Sequence, residues 1–113
     1  MQWLRLYLTV PDDPKVQGLS DRDFRHWINL LCLAGRDKGR LPPIQDIAFT
    51  LRIKQNEVVQ ILRRMEDRGL FREEADEHGI VAVRPNNWQN RQYKSDTSAE
   101  RMRRLRERKR DSE

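Results

Sequence analysis

The sequence predicts a mainly α-helical domain that carries a small β hairpin and is followed by a basic tail. Three observations predict it. Two apolar stripes with helical spacing, at 44–51 and 55–68, are separated only by Arg52-Ile53-Lys54. A third helical stretch, 20–36, precedes them and is apolar nearly all round. Two short strand-like runs, 70–74 and 80–84, follow across a glycine-containing turn.

Taken in order, the chain opens with Trp3 to Val10. Leu4, Leu6, Leu8 and Val10 alternate as in a strand, while Trp3, Leu4, Tyr7 and Leu8 also fit one helical face. Pro11 ends this segment. Asp13-Pro14 has the pattern of an N-cap with proline at the first helical position, which starts a short helical turn through Gln17, closed by Gly18. Ser20 and Asp23 have capping-box spacing: the Ser20 hydroxyl accepts from the Asp23 amide and Asp23 reaches back. The helix that follows carries Phe24, Trp27, Ile28, Leu31 and Ala34 on one face and Leu30 and Leu33 on the other. Such a helix has to be covered on two sides. The N-terminal segment and the next helix pair are the expected covers, with a homodimer partner as the competing one.

After the Gly/Pro-marked loop 35–43, Ile44, Ile47, Ala48 and Leu51 form one apolar stripe. The joint holds a buried Ile53. Val58, Ile61, Leu62 and Met65 then give the core face of a second helix. Its opposite face carries Asn56, Gln60, Arg63 and Asp67, with Arg64 at the flank. Gly69 stops this helix, and Asp76 to Gly79 joins the two strands, with Gly79 suited to a positive φ. Helix, helix, helix, hairpin is the order of a winged helix-turn-helix. In that arrangement the second helix of the pair enters the DNA major groove, where Asn and Gln read adenine and Arg reads guanine or phosphate. Two packed helices with a solvated polar face would give the same pattern. Asn56, Gln60, Arg63 and Arg64 are the groove-facing candidates, and Arg52 and Lys54 the phosphate contacts at the helix start.

Charge sharpens this reading. The chain has 113 residues and a net charge of +5. Residues 1–83 hold 13 Lys+Arg and 13 Asp+Glu, so the excess lies entirely in 84–113. Arg101, Arg103, Arg104, Arg106, Arg108, Lys109 and Arg110 make a tail able to neutralise several phosphates. Glu100 and Arg104 form a favourable helical pair, yet only Met102 and Leu105 are apolar there, so the tail is helical or disordered until it meets a partner. The wing tip, Glu73 to His78, carries four carboxylates and would repel a phosphate backbone. The expected division is a winged helix-turn-helix over 1–85, a polar linker over 86–98 and the basic tail over 99–113. In the linker, Trp88 and Tyr93 either pin the chain to the domain, the preferred reading, or stack on bases.

Composition narrows the classes. No apolar run approaches a membrane span and no signal-peptide layout opens the chain, so a cytosolic location is expected, with no membrane contact. The single cysteine, Cys32, excludes an internal disulfide. His26 and His78 are far apart in sequence, and no structural zinc site is expected. No nucleophile–base pair, metal cluster or phosphate-binding glycine loop is present, so neither catalysis nor a cofactor is expected.

Several segments taken together resemble the N-terminal domain of bacteriophage replisome organisers and prophage replication proteins. They are Trp3-Leu4-Arg5-Leu6-Tyr7, Asp13-Pro14-Lys15-Val16, Phe24-Arg25-His26-Trp27 with Leu30-Leu31, Ile47-Ala48 with Leu51, and Gly69-Leu70. The stretch Trp88 to Asp96, then Ser98 and the spaced arginines, looks like the segment that follows this domain in such proteins. The resemblance covers nearly the whole sequence. It implies a winged helix that binds double-stranded DNA at a phage replication origin. Longer members also recruit the replicative helicase or its loader through a region beyond this domain, which this sequence, ending at Glu113, does not include. A small transcriptional regulator and a protein-interaction module, dimerising or helicase-recruiting, are the alternative readings.

Overall fold

A computed structural model describes residues 2–76, 78–89 and 91–92. Neither the strand nor the helix expected over 3–10 forms. A strand needs a free sheet edge, and the sheet found among the described residues has two strands, β1 (Phe71–Ala75) and β2 (Val81–Pro85). The Leu41 amide donates to the Val83 carbonyl at 3.0 Å, so the loop at Leu41 lies along the outer side of β2. The N-terminal chain therefore stays irregular until a 3-10 turn at Val10–Asp12. Val10 is buried and Leu4 packs partly against the core, whereas Leu6 and Leu8 are 50% and 96% exposed.

Local signals set the next two helices. Asp13 caps α1 (Pro14–Gln17) by accepting from the Lys15 amide. Ser20 caps α2 (Asp21–Gly35) by accepting from the Asp23 amide at 3.1 Å. Trp27, Leu30, Leu31, Leu33 and Ala34 of α2 are all buried. Their covers come from the same chain: α4 (Gln55–Asp67) and β2, with Val10 and Leu4 contributing from the N-terminal segment.

α3 (Ile44–Leu51) and α4 pack on each other as the apolar stripes require. Ile47 and Ala48 are buried, Leu51 and Ile53 are half-buried, and Ile44 sits at the exposed rim. Val58, Ile61, Leu62 and Met65 are all buried, as their spacing demands. The joint uses no glycine: Arg52 itself takes the left-handed conformation, with φ 58° and ψ 46°. β1 and β2 pair antiparallel with Phe71 opposite Pro85, one residue later than the sequence suggests at each end. Among the described residues four α-helices, the last three of them α2, α3 and α4, are followed by the two-stranded antiparallel hairpin, a mainly α-helical fold with the element order of a winged helix-turn-helix.

The domain does not end at Pro85. Asn86 donates its amide to the Leu70 carbonyl and its side-chain nitrogen to the Gly69 carbonyl. Trp88 is only 4% exposed, its ring pressed on Gly39. Gln92 is buried, and its side-chain amide imitates one rung of a sheet. Its Oε1 accepts from the Arg5 amide at 2.8 Å and its Nε2 donates to the Arg5 carbonyl at 3.1 Å. Two residues 87 positions apart are thereby joined, and the irregular N-terminus is fixed by a segment expected to be linker. The rest of that linker and the basic tail lie outside the described residues.

Candidate nucleic-acid interface

Burial of the stripe from Val58 to Met65 turns the opposite face of α4 to solvent. Asn56, Gln60, Arg63 and Asp67 are exposed there. Arg52 and Lys54, at the joint and the N-cap, are exposed at the start of the same helix. Among the described residues no ion pair engages Arg52, Lys54 or Arg63. Lys54 supplies no side-chain cap to the first-turn amides of α4, and the acidic residue of that turn, Glu57, is paired with Arg22. One face thus presents three cations and two amide side chains, and can form phosphate contacts and bidentate base-edge contacts.

Arg64 leaves the groove-facing set. Its side chain turns to α2 and grips Asp23 with two hydrogen bonds, Nε to Oδ2 at 2.7 Å and Nη2 to Oδ1 at 3.0 Å. The Arg64 bond holds the Asp23 carboxyl below its ordinary range, and the same bond raises the Arg64 guanidinium. Glu57 and Arg68 continue this edge of α4: Glu57 pairs with Arg22 of α2 at 3.1 Å, and Arg68 donates to the Gly18 carbonyl at 2.7 Å. The edge formed by Glu57, Arg64 and Arg68 docks α4 on the start of α2, while Asn56, Gln60 and Arg63 look outward. The sequence puts Arg64 at the flank of the polar face but gives no sign of Asp23 as its partner, because 41 residues separate the two. The capping-box spacing has Asp23 reach back to the helix start, whereas in the structure both its oxygens serve the interhelical pair.

The acidic wing tip is partly neutralised within the fold. Arg72 and Arg84 lie opposite each other, and Glu74 pairs with Arg72 and lies 3.9 Å from Arg84. Asp76 lies 3.8 Å from Arg40, and its Oδ1 accepts from the Ile80 and His78 amides. The Ile80 amide contributes most to keeping the Asp76 carboxyl below its ordinary range. Gly79 closes this turn at φ 78°. Asp76 is therefore a turn-building residue rather than a free surface charge. The tail cations Arg101, Arg103, Arg104, Arg106, Arg108, Lys109 and Arg110 lie outside the described residues.

Among the described residues no group of acids, histidines and cysteine could hold a metal ion, and no helix is long and apolar enough to cross a membrane. No protein-family model, curated protein or solved structure matches the chain.

Proposed function

We propose that this chain is a non-enzymatic DNA-binding module whose helix α4 lies in the major groove of double-stranded DNA. The observation that carries this reading is the outward face of α4, where Asn56, Gln60 and Arg63 follow Arg52 and Lys54 on the second helix of a helix-turn-helix. The basic tail adds sequence-independent affinity for phosphate, and Arg64 acts as the strut that orients the reading helix. The resemblance to phage replisome organisers points to origin binding during replication initiation in a bacterial cytoplasm.

Fluorescence anisotropy on duplex DNA tests the proposal. The full chain should bind with an affinity that falls by several powers of salt concentration, because each phosphate contact releases counterions. Arg63→Ala should weaken the preferred duplex by about 1–3 kcal/mol and flatten preference among sequences. Equal binding of every duplex by wild type and Arg63→Ala would remove the groove assignment.

A second reading is a protein-docking winged helix. Phe49 on α3 is 86% exposed, and Ile80 and Val81 at the wing are 58% and 62% exposed. Failure to bind duplex even at low salt would put that reading first.

A further inference from the structure

We infer that the N-terminal segment forms a second nucleic-acid site, specific for single strands and separate from α4. Residues 2–6 are irregular, so their backbone makes no sheet, yet they are held in place through the bonds between Arg5 and Gln92. The segment interleaves aromatic rings with arginines. Trp3 is 69% exposed and the Arg5 guanidinium lies 6.0 Å from its ring centre. Tyr7 is 39% exposed and Arg91 lies 5.9 Å from its ring centre. Beneath the segment is a small cleft of about 40 Å³ bordered by Arg5, Lys15 and Arg91, together with the amide side chains of Asn86 and Gln92. Among the described residues no carboxylate lines it. A separate groove beside Trp3 and Cys32 is lined by Arg36, with no carboxylate among its described lining residues.

This clustering stands out in a domain whose first 83 residues balance to zero charge. Single-strand binding combines a positively charged track with aromatic faces on which unpaired bases stack. Arginine beside the ring adds phosphate contact and cation–π attraction. Trp3 and Tyr7 supply the faces, and Arg5, Arg91, Lys15 and Arg36 supply the track. Duplex bases are already stacked and offer no such contact. The cleft borders Gly69, just past the C-terminal end of α4, whereas Arg52 and Lys54 lie at its start. At 1.5 Å per helical residue, the two sites are on the order of 20 Å apart. A module with both can hold a duplex and an adjacent opened strand together.

The test uses the full chain with a labelled dT20 oligonucleotide and a labelled 20-base-pair duplex. Trp27 and Trp88 are buried, so quenching of tryptophan emission by unlabelled dT20 reports on Trp3. Trp3→Ala and Tyr7→Leu should each lower dT20 affinity about tenfold and leave duplex affinity unchanged, since stacking on each ring is lost while the tail is retained. Arg63→Ala should do the reverse. Because Trp3 is exposed, circular dichroism should show an intact fold in Trp3→Ala. Unchanged dT20 binding by both aromatic variants, or no quenching by dT20, overturns the inference. So does a wild-type dimer in sedimentation that Trp3→Ala dissociates, which would make the segment a protein interface. Loss of duplex binding in Arg63→Ala, together with unchanged dT20 binding in both aromatic variants, would leave the groove reading standing and remove this one.

Discussion

Asp23 and Arg64 join the first turn of α2 to the third turn of α4 through a paired hydrogen bond, with oxygen–nitrogen distances of 2.7 and 3.0 Å. The Asp23 side chain is 11% exposed and that of Arg64 49%, so the pair is shielded on one side only. Bidentate geometry makes it stronger than an ordinary surface pair, and the half-exposed arginine limits the gain. Asp23→Asn should cost about 1–2 kcal/mol in chemical denaturation, because the amide carries no charge and offers Arg64 one acceptor oxygen in place of two. Arg64→Met, which keeps the side-chain stem, should cost about the same, and the double variant little more than either. Strict additivity of the two losses would show that the residues do not act together.

Acid should reveal a different residue first. His26 is buried on α2, and both its ring nitrogens are without a hydrogen-bond partner among the described residues. Burial, reinforced by Arg22, pushes its proton affinity below the ordinary imidazole value, against the pull of Asp23. The unfolded chain therefore takes up this proton first. Stability should be complete above pH ~6.5 and fall as pH drops below it, by at most about 1.4 kcal/mol per pH unit for one proton. The Asp23 carboxyl, also held low, adds a second loss only nearer pH ~4 and below. Melting temperatures of wild type and His26→Gln between pH 7.5 and 5 check the assignment. The variant should show the flatter profile, and parallel profiles would mean that His26 does not titrate on unfolding.

What was legible in the sequence follows a physical divide. Elements specified within a few residues were readable: the caps at Asp13 and Ser20, the buried faces of α3 and α4, and the turn at Gly79. So was the order that makes the winged helix. The outward face of α4 followed from its buried face by geometry alone. Relations across the chain were not readable. Arg64 looked like a surface cation until α2 put Asp23 beside it, and Gln92 looked like linker until Arg5 met it. The N-terminal alternation suggested a strand, but alternation does not provide a partner edge, and the loop at Leu41 already lay along β2.

Gly39 and Trp88 make a contact that a single methyl group would break. Gly39 is buried at φ 91°, and a side chain there would place Cβ 2.6–2.9 Å from three atoms of the indole. Those atoms belong to a packed ring, which cannot swing away as a surface side chain would. Gly39→Ala therefore combines backbone strain with overpacking, for a loss of roughly 2–4 kcal/mol. Trp88→Ala removes the ring and with it the clash, so adding Gly39→Ala to that background should cost only the smaller backbone share. Denaturant midpoints of the three variants give the comparison. An equal Gly39→Ala penalty in both backgrounds would show that the indole is not what the glycine makes room for.

Arg52 offers a way to separate folding from binding. It holds the turn between α3 and α4 in the left-handed region, with φ 58°, where a side chain strains the backbone and glycine does not. Backbone bonds hold this turn, from Ile53 to the Ala48 carbonyl at 3.0 Å and from Arg52 to the Phe49 carbonyl at 3.4 Å, while the exposed Arg52 side chain makes no ion pair among the described residues. Arg52→Gly should leave stability unchanged or raise it by up to about 1 kcal/mol. The same substitution removes a cation from the start of α4. Duplex affinity should fall for all sequences alike, and the slope of log affinity against log salt should shrink by about one, the signature of a lost phosphate contact. Arg52→Lys should keep the salt slope and the strain together. The turn needs the left-handed backbone to close α3, but it does not need the Arg52 side chain, which glycine would dispense with at lower strain. If Arg52→Gly bound duplex as tightly as the wild type with the same salt slope, the strain at Arg52 would have no account in DNA contact. The phosphate-contacting set at the start of α4 would then reduce to Lys54.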